Sequence, residues 1–153
     1  MTPRYRIMAV LVLAVAGTIS AAGLAKPYSA RQYYGSWQKH AKHNYSYRPY
    51  YYKPTPTYAG YKHHYVMHSP ARPKHYYYYN PYKKQYWGRC PVDTGGKALY
   101  SKLADADMSG NLEEIPEAAF PMPSPVPPVP EATDDATLEL PPDDLPGGNI
   151  SPE

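Results

Sequence analysis

The sequence predicts a mostly intrinsically disordered chain, with an N-terminal signal-peptide helix, one small Tyr-rich β-hairpin, short helical turns and a Pro-rich tail. Two observations support this prediction. Leu, Ile, Val and Phe make up only about a tenth of residues 26–153, which is below the level at which disorder is expected. The chain also contains 20 prolines, which interrupt regular elements. Tyrosine and tryptophan alone would have to supply a core, so we expect no large globular domain.

Residues 1–25 have the layout of a secretory signal peptide. A short basic start precedes an apolar run from Ile7 to Ala25, and the polar Lys26 follows. This layout predicts cleavage after Ala25 and export to the periplasm, the cell envelope or the extracellular space. The alternative is an uncleaved N-terminal anchor, because the run approaches the roughly 20 residues that span a bilayer. After cleavage we expect no membrane association.

The charges of the remaining chain are segregated into two blocks. Residues 26–92 contain twelve Lys and Arg and no acid, whereas residues 93–153 contain two Lys and all thirteen acids. The formal charges of the two blocks are therefore +12 and −11. Such segregation is typical of solvated, interacting chains. We expect the two blocks to attract each other, within one chain or between chains.

The basic block divides into two segments. Residues 26–60 are a basic Tyr/His-rich segment, predicted to be disordered because the tyrosines follow neither a helical nor an alternating period. Residues 61–92 are predicted to form a Tyr-rich hairpin, since four consecutive tyrosines favour a strand and Asn80-Pro81 favours a turn. Residues 85–90 would form the returning strand, with residues 61–68 as a candidate third strand.

The acidic block also divides into two segments. Residues 93–120 are predicted to contain a turn and two short helices, one over ALYSKLADAD at residues 98–107 and one starting near Asn111 or Pro116. Residues 121–153 are a Pro-rich acidic tail, whose closely spaced prolines favour an extended polyproline II conformation. We expect this tail to be disordered and solvated.

Three motifs stand out: YYYYNPYKKQYWGR at residues 76–89, YSKL at residues 100–103, and LEEIPEAAFPMPSPVPPVP at residues 112–130. Together they resemble a family of small uncharacterised secreted Tyr/Pro-rich proteins from planctomycete-type bacteria. The family pattern is YYYNP, then YWGR, then IPExAFP followed by prolines, and it covers about a third of the chain. The resemblance implies export from a bacterium. It implies no activity and supplies no functional residues.

Residues 105–116 begin like a calcium-binding loop. Asp105, Asp107 and Ser109 occupy the first three ligand positions of an EF-hand, and a glycine follows at position 6. Position 12, where a bidentate glutamate closes the site, is Pro116. Proline supplies no side-chain ligand and interrupts the exiting helix. We therefore expect a polar turn and no calcium site.

Histidine and cysteine are the other candidates for chemistry. The candidate ligands for loose transition-metal binding are His63, His64, His68 and His75, because imidazole binds copper, nickel and zinc. Cys90 is the only cysteine, so it is either a free thiol or half of an intermolecular disulfide. The neighbouring Arg89 would favour its thiolate. No nucleophile motif, phosphate loop or zinc-ligand set is present in the sequence, so we expect no enzyme and no cofactor.

The basic, Tyr-rich block is the strongest functional feature of the sequence. Lys and Arg attract anionic polymers by releasing counterions, and tyrosine rings stack on bases or sugars. The sequence therefore predicts an exported structural or interaction protein that associates with an anionic envelope polymer or with itself. The alternative is a low-specificity transition-metal-binding protein. Sequence-specific binding of nucleic acid is not expected of an exported chain.

Overall fold

The fold differs from the disordered chain that the composition predicts. A computed structural model describes residues 30–147, and they form a curled antiparallel β-sheet, a half-barrel, without any α-helix in that range. The prediction of a mostly disordered protein is therefore wrong, and so is the disorder predicted for residues 26–60, because three strands lie between residues 32 and 52. The predicted signal peptide and the last six residues lie outside the described residues. No helix within the described range is long and apolar enough to cross a membrane.

Eight strands and three short 3-10 helices make up the described chain. The strands are β1 (Gln32–Tyr34), β2 (Gln38–Lys39), β3 (Ser46–Tyr52), β4 (Lys62–His68), β5 (His75–Asn80), β6 (Gln85–Pro91), β7 (Leu99–Lys102) and β8 (Ser124–Pro125). The 3-10 helices are Asp105–Asp107, Leu112–Glu114 and Glu117–Ala119. The spatial order of the strands is β1-β3-β4-β5-β6-β7-β8, and β2 also pairs with β3. Nearly every strand therefore pairs with its neighbour in sequence, as in a meander.

The predicted hairpin is present as β5 and β6 at the centre of this sheet. Asn80 begins the turn as predicted, and its side-chain Oδ1 accepts hydrogen bonds from the backbone N–H groups of Tyr82 at 2.9 Å and Lys83 at 3.1 Å. The candidate third strand is β4, which pairs with β5. Asn111 caps one 3-10 helix and Pro116 precedes another, as predicted. The helix predicted over residues 98–107 is wrong, because Leu99–Lys102 is the strand β7 and only Asp105–Asp107 forms a 3-10 turn.

Tyrosine provides the main core, which lies on the inner, concave face of the sheet. The cluster contains Tyr50, Tyr52, Val66, Tyr76, Tyr78, Trp87, Cys90, Tyr100, Val129 and Leu138. Tyr78 is fully buried at its centre, with ring centroids 5.2 Å from Trp87 and 5.3 Å from Tyr100. A buried aromatic ring removes about 150–250 Å2 from water. The tyrosines therefore supply the apolar surface that the scarce aliphatic residues do not.

A smaller core lies on the opposite face, under residues 104–120. It contains Tyr77, Tyr86, Leu103, Ile115 and Phe120. Because side chains of a strand alternate between faces, Tyr77 points away from the inner core while its neighbours Tyr76 and Tyr78 point into it. The three 3-10 helices of this segment cover only the half of the outer face that β5, β6 and β7 form.

The described part of the Pro-rich tail, up to residue 147, is folded, which is the second correction to the sequence-based prediction. Residues 126–147 cross the inner face and link β8 to β1, and Val129 and Leu138 are buried in the core. The Gln32 side chain fixes the crossing, because its Nε2 donates to the Thr137 carbonyl at 2.8 Å and its Oε1 accepts from the Glu139 N–H at 2.9 Å. We refer to residues 126–147 as the strap.

Pro49 occupies the middle of β3, where a missing N–H would normally break the ladder. The Pro49 carbonyl accepts from the Gly35 N–H at 2.8 Å, in the gap between β1 and β2. Because the nitrogen and the carbonyl of one residue point to the same side of an antiparallel strand, the Pro49 nitrogen also faces this gap rather than β4. A Cβ on Gly35 would lie 2.5 Å from Pro49 Cγ. Glycine at position 35 therefore allows the chain to pass close to the proline ring.

Candidate functional site

The half of the outer face that residues 104–120 do not cover carries a continuous set of half-buried aromatic rings. Strand alternation puts Tyr50 and Tyr52 of β3 into the core and leaves Tyr47 and Tyr51 on the other side. We refer to this outer set as the aromatic face: Tyr33, Tyr47, Tyr51, Tyr61, His63 and Tyr65. Its members come from β1, β3 and β4, and from the residue that precedes β4.

The strand register brings these rings into contact with one another. Tyr33 lies opposite Tyr51, and Tyr51 opposite His63. Tyr33 and Tyr51 stack with centroids 4.7 Å apart, and Tyr33 meets Tyr61 edge to face at 4.9 Å. His63 continues the row, with centroids 6.0 Å from Tyr51 and 5.2 Å from Tyr65. Tyr47 then lies 5.8 Å from Tyr65, so the six rings form one uninterrupted row.

The aromatic face is cationic at its edges. The Lys53 ammonium lies 4.9 Å from the centroid of the Tyr61 ring, in cation–π contact. Lys42 is exposed in the loop between β2 and β3, next to His40, whose ring lies 6.3 Å from Tyr47. The strands β1, β3 and β4 contain no acidic residue. A ligand on this face would therefore meet aromatic rings and positive charge together.

The five ion pairs within residues 30–147 all join the basic block to the acidic block. They are Arg31–Asp134, Arg48–Asp144, Lys62–Glu131, Arg72–Glu117 and Arg89–Glu117. All four arginines of this range pair in this way, and Lys62 is the only lysine that does. The planar guanidinium suits such fixed contacts, whereas the strongly hydrated lysine ammonium stays in solvent. The lysines of this range other than Lys62 therefore remain available to a partner of the protein.

The four candidate metal-binding histidines do not converge on one site. His63 belongs to the aromatic face, whereas His64 faces the inner core, where burial and the neighbouring positive groups lower its pKa to about 3. His68 contacts the Pro73 carbonyl through Nε2 at 3.0 Å. His75 lies at the start of β5, and burial followed by the Arg89 charge lowers its pKa. No group of three potential ligand side chains occurs among the described residues.

The closest pair of histidine rings is one that sequence reasoning did not select. His40 and His43 lie in the loop between β2 and β3, with ring centroids 4.8 Å apart. One nitrogen of the pair is already engaged, since His40 Nδ1 accepts from the backbone N–H groups of Lys42 and His43 at 3.2 Å. The alternative function as a metal-binding protein would therefore depend on this two-residue pair.

The calcium-like loop is used to attach residues 104–120 to the hairpin. Asp105–Asp107 is a 3-10 helix with exposed carboxylates, and the Ser109 carbonyl accepts from the Tyr86 N–H at 2.8 Å. The Ser109 hydroxyl donates to the Glu114 carboxylate at 3.0 Å. A Cβ on Gly110 would lie 2.8 Å from the Lys84 carbonyl oxygen, so glycine is needed where the loop meets the hairpin turn. These contacts give the loop a structural role, and the absence of a calcium site stays a prediction.

Cys90 lies on the inner side of β6, fully buried next to Tyr78. Arg89 projects to the opposite face, where its guanidinium binds Glu117 at 2.6 Å and covers the Phe120 ring at 4.1 Å. The arginine therefore does not activate the thiol as its position in the sequence suggested. Burial instead raises the pKa of Cys90 to about 12, which keeps the thiol protonated at neutral pH.

We expect Cys90 to be unreactive in the folded protein. An aromatic disulfide reagent at pH 8 should release no thiolate product over hours, because the sulfur is both covered and protonated. The same reagent in guanidinium chloride should titrate one thiol per chain, which serves as the control. Rapid reaction without denaturant would contradict the buried position and would restore Cys90 as a site of intermolecular linkage.

The chain was compared with family models, with curated proteins and with solved structures. No family model, curated protein or solved structure matches it. The sheet, the aromatic face and the charges that surround it are therefore the features that indicate a function.

Proposed function

We propose that the protein is an exported bacterial binding protein whose aromatic face holds an acidic polysaccharide of the cell envelope. The observation that carries this proposal is the uninterrupted row of six half-buried rings on an acid-free part of the sheet. The N-terminal pattern and the resemblance to secreted Tyr/Pro-rich proteins support export. The proposed role is binding rather than catalysis.

The chemistry of the aromatic face favours a sugar polymer that carries carboxylates. Tyrosine rings provide flat apolar surfaces on which sugar rings can stack, and successive rings suit successive units of a chain. Lys42 and Lys53 at the edges would attract the carboxylates and release their counterions. A rigid sheet holds the rings in place before binding, so little entropy is lost when the polymer docks.

Binding can be measured by isothermal titration with three polymers. We expect polygalacturonate to bind, and neutral dextran and polyglutamate to bind at least tenfold more weakly, because each lacks one of the two recognised features. Replacing Tyr51 and Tyr65 together by threonine should weaken polygalacturonate binding at least tenfold, a loss of about 1.4 kcal/mol. Threonine keeps a high strand propensity, so the sheet should be retained.

Tyr58→Thr is the matched control, because Tyr58 is exposed but lies outside the aromatic face. Its affinity for polygalacturonate should equal that of the wild type. Lys42→Gln with Lys53→Gln should reduce the dependence of the affinity on salt concentration. Equal binding of all three polymers, or an unchanged affinity of the double threonine variant, would show that the aromatic face is not the site.

A further inference from the structure

A cleft on the inner side of the sheet is separate from the aromatic face. It lies where the turn between β5 and β6 meets the strap, and its volume is about 370 Å3. Small-molecule pockets commonly have volumes of about 300–1,000 Å3. The cleft is lined by His64 and Trp87, by Met108 and by the strap residues 127–132.

Two buried polar atoms of this lining have no hydrogen-bond partner among the described residues. They are His64 Nδ1 and Trp87 Nε1, and the two residues are only 3% and 8% exposed. An unsatisfied buried polar group costs about 1–3 kcal/mol, so native proteins rarely leave one without a partner. Because both residues line one cleft, a molecule bound there would complete both hydrogen bonds.

Both atoms can act as donors. The indole Nε1–H of Trp87 is only a donor. His64 Nε2 lies 3.2 Å from the Tyr52 hydroxyl, whose proton stays bound because burial raises the pKa of Tyr52. When the Tyr52 hydroxyl donates a hydrogen bond to Nε2, the neutral imidazole of His64 carries its own proton on Nδ1. Two residues of the lining then carry N–H donors, and neither donor has an acceptor within hydrogen-bond distance among the described residues.

The charges around the cleft favour an anion. Lys83 and Lys102 line it, are exposed, and form no ion pair within residues 30–147. Two carboxylates also line it, but Glu131 is bound to the Lys62 ammonium at 2.5 Å, which leaves only Asp105 uncompensated. The rest of the lining is largely apolar and includes Met108, Pro127, Pro128, Val129 and Pro130.

We propose that this cleft binds a small carboxylate with an apolar body, whose oxygens accept hydrogen bonds from His64 Nδ1 and Trp87 Nε1 while Lys83 and Lys102 attract its charge. The apolar body lies against the prolines of the strap and Met108. The Gln85 Nε2 donates to Met108 Sδ at 3.0 Å at the edge of this lining.

The test is a titration of the 15N-labelled protein with benzoate, observed through the two indole N–H signals. We expect the Trp87 signal to shift downfield and to saturate, as its N–H gains an acceptor. The Trp37 signal should stay in place, because its Nε1 already donates to the Asp144 carbonyl at 2.7 Å. Benzamide, which has the same body without the charge, should bind at least tenfold more weakly.

Replacing Lys83 and Lys102 together by glutamine should weaken benzoate binding at least tenfold without disturbing the fold, since both side chains are exposed. The matched control is Lys74→Gln with Lys97→Gln, which removes the same charge from exposed lysines outside the cleft and should leave the affinity unchanged. No saturable shift of the Trp87 signal, or equal shifts with benzoate and benzamide, would overturn the proposal. An equal loss of affinity in both lysine variants would also overturn it, since only net charge would then matter.

Discussion

Gly88→Ala is expected to destabilise the protein by at least about 3 kcal/mol, toward the upper end of the cost of overpacking a core. A Cβ at this position would lie 2.4 Å from both Cε1 and the hydroxyl oxygen of Tyr100. The Tyr100 ring cannot move away easily, because it is almost fully buried against Tyr78 and Trp87. Domain stabilities are only about 5–15 kcal/mol, so a large fraction of the stability would be lost. Urea unfolding followed by tryptophan fluorescence measures this loss.

Gly60→Ala is the control for this substitution. Gly60 has a φ of +75° but nothing within 4 Å of an added Cβ, so alanine there costs only the backbone strain of about 1–2 kcal/mol. Shrinking the opposing ring should restore part of the loss, so that Tyr100→Leu costs less in the Gly88→Ala background than in the wild type. An unchanged unfolding midpoint for Gly88→Ala would mean that the ring does not pack against β6 as described.

Leu138→Ala is expected to destabilise the protein by about 2–5 kcal/mol, the usual cost of truncating a buried leucine. Leu138 is 3% exposed and lies in the inner core with Tyr50 and Tyr78, although it belongs to the Pro-rich strap. The backbone N–H of Leu138 also donates to the Pro127 carbonyl at 2.8 Å, which joins two parts of the strap. The free energy of unfolding in urea is again the measurement.

Leu145→Ala provides the comparison within the same strap. Leu145 is 47% exposed, so its replacement should change the free energy of unfolding by less than about 0.5 kcal/mol. A strap that is only a solvated spacer, as its composition predicts, would give the same small effect for both leucines. Equal effects would therefore contradict its role as a cover of the core.

The prediction of disorder was wrong because it counted aliphatic residues. The chain has 19 tyrosines but few Leu, Ile and Val, and chains that remain disordered are usually poor in aromatic residues as well. The aromatic content of 14% was the signal that could have corrected the prediction. Tyrosine also conceals the strand period, because the YYY run of β3 puts the same residue type into the core at Tyr50 and Tyr52 and onto the outer face at Tyr51.

Only part of the candidate site could be predicted from the sequence. The basic and aromatic character of residues 26–92 indicated the kind of partner, but the row of rings from Tyr61 to Tyr47 depends on the register of three strands. The two hydrogen-bond donors of the inner cleft were even harder to predict from the sequence. Trp87 and His64 are 23 positions apart in sequence, and the wall that joins them comes from the strap.

The elements that could be predicted from the sequence are those that depend on interactions between residues close in sequence. The turn at Asn80-Pro81, the strands that flank it and the short helical starts at Asn111 and Pro116 follow from side chains that bond or restrict their own backbone. The separation of charge was equally visible in the sequence. Two features depend on the tertiary structure: which tyrosines are buried, and the folding of the acidic tail over the basic sheet as a strap. Both are stabilised by long-range contacts such as Arg48–Asp144 at 2.6 Å and the burial of Leu138, and these contacts form only when the sheet has curled.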